Sequence, residues 1–227
     1  MNKKLSEISR FNGLKICISG ANGSLGKSLI EELKKKGAYV VGLTHSKQNR
    51  RDSFNSTPDD WIFWSCGEEK LLSGRLAEID ILILNHGFNP KELIDSDEIN
   101  KALEINSLSH WRLIQIFEDL ALTNNRNKYN SKEIWINTSE AENQIAFSPV
   151  YEITKRLIGE LVSLKKSKLL IDKEDYLIIK KLILGPFKSN LNPQGVMSPE
   201  FVAKKIIQKA EKEDYLIIVT PNPLTYI

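Results

Sequence analysis

Apolar and polar positions alternate in blocks that predict strands and helices in turn along the chain. Short apolar runs rich in β-branched residues predict strands, and they occur at 14–18, 37–43, 61–65, 79–84, 134–136, 176–184 and 215–219. Apolar residues that recur every three or four positions predict helices, and they occur at 25–36, 68–78, 97–122, 151–167 and 199–211. This alternation predicts an α/β fold with a single doubly wound parallel sheet, Rossmann-like, and helices on both faces.

A glycine-rich turn joins the first predicted strand to the first predicted helix, at Ser19-Gly20-Ala21-Asn22-Gly23-Ser24-Leu25-Gly26. Glycines allow a backbone to approach a pyrophosphate closely, and the exposed N–H groups at a helix start add positive potential. A P-loop is rejected, because Ala21 stands where the first glycine of that motif belongs. Nucleotide binding is therefore one interpretation of this turn, and close strand–helix packing without a ligand is the other.

The amino-acid composition indicates which class of protein this chain belongs to. The 227 residues are 41% hydrophobic and 27% charged, as in soluble globular proteins. No composition break divides them, so we expect residues 1–227 to form a single domain. The net charge of +3 is mild and the lysines and acids are interspersed, which argues against nucleic acid as a partner.

The N-terminus lacks the apolar run of a signal peptide, and no stretch is long and apolar enough to span a bilayer. We therefore expect a cytoplasmic protein in which Cys17 and Cys66 stay reduced. The apolar end at 224–227 has no explanation from the sequence. The histidines show no ligand spacing with cysteines or acids, so no metal site is expected.

Several motifs, in their order and spacing, resemble those of the short-chain dehydrogenase/reductase family over nearly the whole chain. The glycine turn is similar to the family's cofactor-binding motif, and Asn85-His86-Gly87 after the fourth strand is similar to its Asn-Asn-Ala-Gly motif. Tyr151 and Lys155 reproduce its Tyr-x-x-x-Lys pair. Further matches are Asn106 in the middle of a helix, Ser139 after the fifth strand, and Gly185-Pro186 with Ser189 after the sixth.

The resemblance implies an NAD(P)-dependent oxidoreductase that acts on a small carbonyl or alcohol substrate, with Tyr151 as the general acid or base. The catalytic residues that it implies are Asn106, Ser139, Tyr151 and Lys155. The cofactor-binding residues that it implies are Ser19, Gly20, Asn22, Gly23, Ser24, Leu25, Gly26, Thr44, His45, Ser46, Asn85, His86, Gly87, Tyr151, Lys155, Gly185, Pro186 and Ser189. By the same resemblance, Lys155 also holds the nicotinamide ribose and Asn106 supports a water molecule in a proton relay.

The chemistry of a tyrosine beside a lysine follows from charge. A free tyrosine has a pKa of about 10, and a lysine cation next to it favours the phenolate and lowers that value. Tyr176 and Lys180 have the same spacing in the sequence, but they lie in a predicted strand. Residues four apart are separated by about 13 Å on a strand and about 6 Å on a helix. We therefore predict Tyr151 as the catalytic tyrosine, with Ser139 or Thr138 as the hydroxyl that orients the substrate oxygen.

The residues after the second strand bear on the choice of cofactor. An acidic residue there would bind the ribose 2′-hydroxyl of NAD and repel a 2′-phosphate. The chain instead has Thr44-His45-Ser46-Lys47, with Arg50-Arg51 further on. Neutral and basic groups suit a phosphate, so we predict that NADP(H) is preferred over NAD(H).

Alternatives remain for the function and for the assembly. A regulatory or scaffold protein could keep this fold and bind the cofactor without useful turnover. The helices 97–122 and 151–167 correspond to those that pair across a two-fold axis in many family members. They carry more apolar residues than one buried face requires, at Ile116, Phe117, Leu120, Ile158, Leu161 and Val162. We predict a homodimer or homotetramer, with packing inside one chain as the alternative.

Overall fold

A parallel sheet brings the predicted site residues to one side, at the C-terminal ends of its strands. The computed structural model describes residues 8–45, 54–90, 96–124, 131–146 and 148–222. Within these ranges the strands are β1 (Lys15–Ser19), β2 (Tyr39–Thr44), β3 (Asp60–Phe63), β4 (Ile81–Leu84), β5 (Lys132–Asn137), β6 (Leu177–Leu184) and β7 (Leu216–Val219). Their order in the sheet is β3-β2-β1-β4-β5-β6-β7, and every pair is parallel. The predicted doubly wound sheet is confirmed.

The strand order reverses in the middle of the sheet. The chain moves outward from β1 through β2 to β3 and then crosses back, so that β4 lies on the other side of β1. Loops that leave the C-terminal ends of β1 and β4 therefore diverge and form a crevice, which is where open α/β sheets bind ligands. Both of these loops carry predicted cofactor residues.

Helices cover both faces of the sheet, as predicted. They are α1 (Ser24–Lys35), α2 (Ser73–Leu76), α3 (Ser96–Leu103), α4 (Ser109–Asn124), α5 (Pro149–Asp172) and α6 (Pro199–Ala210). On one face α1 and α6 pack together and bury Leu29 and Ile206 completely. On the other face α4 and α5 bury Phe117 and Ile158 completely. Strands covered on both faces have nearly continuous apolar sequences. Among the helices of the described residues, none has the length and apolar character to cross a membrane.

Two observed helical segments differ from the predicted ones. The segment 68–78 forms a 3₁₀ turn (Glu69–Leu72) followed by the single-turn α2. Gly74 weakens a helix there, and the carboxylate of Glu69 turns back to accept the N–H of Gly67 at 3.0 Å. The predicted helix 97–122 is divided between α3 and α4 by a π turn at Glu104–Leu108. A π turn contains one extra residue and is frequent at functional sites.

Helix α5 starts earlier than predicted and carries two of the predicted catalytic residues. Pro149 occupies its first turn, and the hydroxyl of Ser148 accepts the N–H of Tyr151 at 3.4 Å. Both features favour a helix start. Tyr151 therefore lies in the first turn of α5, and Lys155 follows one turn later on the same face.

Several apolar residues that we counted as surplus for a dimer lie in the core of the chain itself. The completely buried ones are Phe117, Ile158 and Val162. That part of the prediction was wrong, because periodicity shows that a helix has an apolar face but not how much of it the sheet covers. The exposed apolar residues of α5 include Ile153, Leu157 and Leu164.

Candidate active site

Close contacts between backbone segments fix the shape of the glycine turn. Gly20 has a φ of +66°, and a Cβ there would lie 2.9 Å from the Cα of His86. Gly26, in the first turn of α1, packs so closely that a Cβ would collide with the carbonyl oxygen of Gly20. A Cβ at Gly23 would lie 3.2 Å from the same oxygen. The turn itself therefore requires glycine at positions 20 and 26.

The turn leaves the start of α1 accessible to an anion. Gly23 is the N-cap, and within the described part of the chain no side chain caps this helix end. The first N–H groups of a helix have no partner inside it, here those of Ser24, Leu25 and Gly26. They fit the pyrophosphate of a dinucleotide, which binds at this point of the fold.

The end of β2 is joined to the glycine turn by a side-chain contact. Thr44 is buried, and its Oγ1 accepts a hydrogen bond from Nδ2 of Asn22 at 3.0 Å. His45 is exposed. The rest of the predicted phosphate-binding segment, Ser46-Lys47 and Arg50-Arg51, lies outside the described residues, as does the apolar end at 224–227.

The loop after β4 is held by Ser19 at the end of β1. Oγ of Ser19 accepts the N–H of Asn85 at 2.9 Å and lies 2.7 Å from Nδ1 of His86. Asn85 in turn accepts a hydrogen bond from Nδ2 of Asn137, at the end of β5, at 2.9 Å. Ser19 is completely buried, and its hydroxyl positions Asn85 and His86.

His86 lies in a cluster of rings that the sequence pattern did not reveal. Its ring centroid is 4.0 Å from that of His110 and 5.3 Å from that of Trp64, both edge to face. Its Nε2 lies 3.2 Å from Oγ of Ser109. Burial, and then the positive charge of Lys155, lower the pKa of His86 to about 3. This ring is therefore neutral near pH 7 and acts as a packing and hydrogen-bonding group.

The π turn presses Asn106 against the loop after β4. Its Oδ1 accepts the N–H of Phe88 at 2.7 Å, and its Nδ2 donates to the carbonyl of Phe88 at 2.7 Å and to Oγ1 of Thr154 at 3.0 Å. Asn106 is completely buried. These contacts hold its side chain between the β4 loop and α5, and its support of a water molecule stays a prediction.

Of the two candidate hydroxyls, Ser139 is the one that faces Tyr151. Oγ1 of Thr138 is buried and donates to a carbonyl of β6 at 3.0 Å. The hydroxyl of Ser139 is close enough to Tyr151 to lower the pKa of its phenol. Ser139 also caps the 3₁₀ turn Glu140–Glu142 by accepting a backbone N–H at 3.2 Å. Consecutive residues of an extended chain point in opposite directions, so only one of the two can reach the crevice.

Lys155 lies beside Tyr151 and is almost completely buried. Its Nζ is 5.6 Å from the centroid of the tyrosine ring and donates to the carbonyl of Asn137 at 3.1 Å. Burial lowers the pKa of Lys155 to about 8, and the carboxylate of Glu142 acts in the opposite direction. Burial raises the pKa of Tyr151, and the hydrogen bond with Ser139 lowers it. The arrangement places a protonated phenol next to an amine that titrates near neutral pH.

Residues after β6 form the far side of the crevice. Gly185 is buried, and a Cβ there would lie 3.0 Å from Oε2 of Glu140. The carbonyl of Pro186 accepts two N–H groups of its own loop, at 2.9 and 3.2 Å. Oγ of Ser189 accepts another at 3.1 Å. Ser189 and Ser24 both line an open groove of about 560 Å³, so this groove adjoins the start of α1 and not Tyr151.

Comparisons with known proteins agree with this architecture. The chain is 39% identical, over an alignment of 229 residues that covers all of it, to a Synechocystis protein named monoglucosyldiacylglycerol epimerase. It spans about half, 54%, of the length of that protein. No family model matches the chain.

Among solved structures, a short-chain dehydrogenase from Burkholderia cenocepacia in complex with NADP aligns with a TM-score of 0.77 and 16% identity, over 92% of this chain and 89% of that one. A ligand-free aldohexose dehydrogenase from Thermoplasma acidophilum aligns with a TM-score of 0.73 and 14% identity, over 94% of each chain. Structural agreement at such low identity shows a shared fold.

Proposed function

We propose that the chain, which shares the fold of the short-chain dehydrogenase/reductase family and carries motifs that resemble those of the family in order, is a member of it and an NAD(P)-dependent oxidoreductase acting at a carbonyl or alcohol carbon. The observation that carries the proposal is the convergence of Ser139, Tyr151 and Lys155 beside the crevice. A regulatory protein without turnover has no need of a buried amine next to a phenol, because burying a cation lowers stability.

The proposed roles follow from these contacts. Tyr151 gives a proton to the substrate oxygen in the direction of reduction and takes one back in the direction of oxidation. Ser139 donates a hydrogen bond to the same oxygen and orients it. The cation of Lys155 favours the phenolate of Tyr151. When bound, the nicotinamide cofactor supplies or accepts the hydride at the substrate carbon.

The glycine turn and the start of α1 would hold the phosphates of that cofactor. The preference for NADP(H) is proposed from Thr44 and the basic segment after it, since no carboxylate is found at 44–47. Titration of the protein with NADPH and NADH, followed by cofactor fluorescence, tests the preference. Equal affinities, or tighter binding of NADH, would contradict it.

A second candidate function is epimerisation of a sugar carbon in a glycolipid. It is favoured by the 39% identity, over the whole chain, to the protein named monoglucosyldiacylglycerol epimerase. The same residues would serve. Transfer of a hydride from the carbinol carbon to the oxidised nicotinamide, and of the hydroxyl proton to the phenolate of Tyr151, would give a ketone. Return of the hydride to the opposite face of that carbon, and of the proton to its oxygen, would invert the centre with no net oxidation.

One set of assays separates the candidates. The protein is incubated with NADPH and a panel of carbonyl compounds, and with monoglucosyldiacylglycerol and either oxidised cofactor. Net loss of NADPH absorbance supports a reductase, whereas an inverted sugar, detected by NMR, without net change of absorbance supports an epimerase. Cofactor binding with neither reaction favours the regulatory alternative. A folded protein that binds neither cofactor contradicts the proposal.

A further inference from the structure

Glu142 lies next to helix α5 and takes no part in the proposed proton and hydride transfers. It ends the 3₁₀ turn that follows Ser139. Its Oε1 forms an ion pair with Nζ of Lys181 on β6. Its Oε2 is buried and has no hydrogen-bond partner among the described residues. The side chains of Glu142 and Lys181 are only 11% and 12% exposed, so water screens this pair poorly.

Helix α5 has a notch at Gly159, a gap in its surface where the missing side chain leaves room for the carboxylate of Glu142. A Cβ at Gly159 would collide with the carboxylate of Glu142, so glycine at this position allows the acid to approach the helix. Lys181 donates to the carbonyl of Gly159 at 3.2 Å and to Oγ of Ser163 at 3.1 Å. Gly159 follows Lys155 by one helical turn and shares its face. The carboxylate is therefore fixed against α5 at a position one helical turn beyond Lys155.

We propose that Glu142 is a positioning residue that keeps Lys155 protonated, and that Gly159 and Lys181 hold it in place for this purpose. Lys155 is 3% exposed, and burial disfavours its cation. A fixed carboxylate one turn along the helix opposes that effect, because charges attract each other more strongly in a protein interior than in water. The significance for catalysis rests on the proposed function, since a protonated Lys155 favours the phenolate of Tyr151.

The other groups around Lys155 do not supply this negative charge. Tyr151 on its own helix is a protonated phenol near neutral pH, because burial raises its pKa. His86 and His110 are neutral, because burial lowers the pKa of each. Lys181 on β6 carries the same sign as Lys155 itself. The carboxylate of Glu142 is the group that raises the pKa of Lys155.

The test measures the protonation of Lys155 directly, in protein that is not turning over substrate. In protein labelled with ¹³C at lysine Cε, the NMR shift of Lys155, assigned with a Lys155→Arg variant, gives the pH at which the amine is half protonated. Glu142→Gln keeps the size of the side chain and removes its charge, so we expect this midpoint to fall by about one pH unit. Glu160→Gln is the matched control, because Glu160 lies on the exposed face of the same helix, and the midpoint should not change. An unchanged midpoint in folded Glu142→Gln protein overturns the proposal.

A second variant covers the case in which Glu142→Gln does not fold. Gly159→Ala would press a Cβ against the carboxylate of Glu142 and push it away from α5, so the midpoint of Lys155 should fall, and a rise or no change in folded protein overturns the proposal. Where a substrate is found, the alkaline limb of kcat against pH should also move to lower pH in Glu142→Gln, with KM unchanged. Failure of turnover on every substrate would count against the proposed function, whereas the NMR midpoint decides the role of Glu142 separately.

Discussion

Two tyrosines with identical spacing to a lysine have opposite surroundings in this chain. Tyr151 lies close to Ser139, whose hydroxyl lowers the pKa of its phenol, whereas the hydroxyl of Tyr176 donates to Oε1 of Glu118 at 3.0 Å. Burial and then the hydrogen bond to Glu118 raise the pKa of Tyr176 to about 12. Tyr176 also precedes β6, at the opposite edge of the sheet from the crevice. Residue type and spacing are therefore not enough to define a catalytic group.

The variant Tyr151→Phe should lose about 10²- to 10⁴-fold in kcat, because it removes the proton donor and keeps the ring. This corresponds to about 3–5 kcal/mol of barrier. Cofactor affinity should stay the same, because the glycine turn and α1 hold the phosphates. Tyr176→Phe is the matched control and should keep its kcat. Similar losses in both variants, or full activity in Tyr151→Phe, would show that the assignment is wrong.

The contacting histidines His86 and His110 predict how the free energy of unfolding depends on pH. The pKa of His86 is about 3 and that of His110 is well below its usual value, in both cases because of burial first. In the unfolded chain both titrate near pH 6.5, so below that pH the unfolded state binds more protons and stability falls with falling pH. Each histidine should contribute up to about 1.4 kcal/mol per pH unit between its unfolded and folded pKa values, with no contribution above about pH 7.

Chemical unfolding at pH 4, 5, 6 and 7 measures the slope of the free energy of unfolding against pH. His110→Leu should reduce it by roughly half, because one of the two histidines with a lowered pKa is removed. A wild-type slope that is the same as that of His110→Leu would contradict the prediction.

At the scale of whole elements, the sequence predicted the strands, turns and helices that depend on a pattern of neighbouring residues. The seven strands, the glycine turn and the helix that carries Tyr151 all follow from periodicity and capping, which act within a few residues. The π turn at Glu104–Leu108 does not, because it is stabilised by Asn106 binding Phe88 and Thr154, from elements distant in the sequence. The rings around His86 and the notch at Gly159 were missed for the same reason. Each of them exists only after β4, α4 and α5 have packed.

Alanine substitutions at two helix glycines, the packed Gly26 and the open Gly74, should have different effects on stability. Gly26→Ala should disturb the glycine turn, because its Cβ would collide with Gly20 and Ala21, and overpacking of this kind typically lowers stability by about 1–3 kcal/mol. Cofactor affinity should fall as well. Gly74→Ala, in α2, has nothing within 4 Å of its Cβ. It should be neutral or stabilising by up to about 1 kcal/mol. Thermal unfolding and cofactor titration of both variants measure the effect, and equal behaviour would contradict it.

At the scale of the whole molecule, assembly is predicted from the face of α5 that the sheet leaves uncovered. Ile153, Leu157 and Leu164 are 60%, 38% and 59% exposed on this helix, and a second copy would bury them across a two-fold axis. Light scattering at micromolar concentration should show a dimer or tetramer. Leu157→Arg should shift it toward monomer, while Leu71→Arg, at a 79% exposed position off α5, should not. A monomeric wild-type protein would rule the assembly out.

The parallel sheet also sets the time at which the site can form during synthesis. Its groups come from the ends of β1, β4, β5 and β6 and from α5, so they are spread from Ser19 to Ser189. A ribosome that adds about 5–20 residues per second exposes the last of them on the order of ten seconds or more after the first. Until β6 inserts beside β5, Lys181 is missing and the buried charges of Glu142 and Lys155 lack their surroundings. The nascent chain therefore holds an incomplete site until Ser189 has been added, and chaperone binding to the unpaired edge of β5 would protect it during this interval.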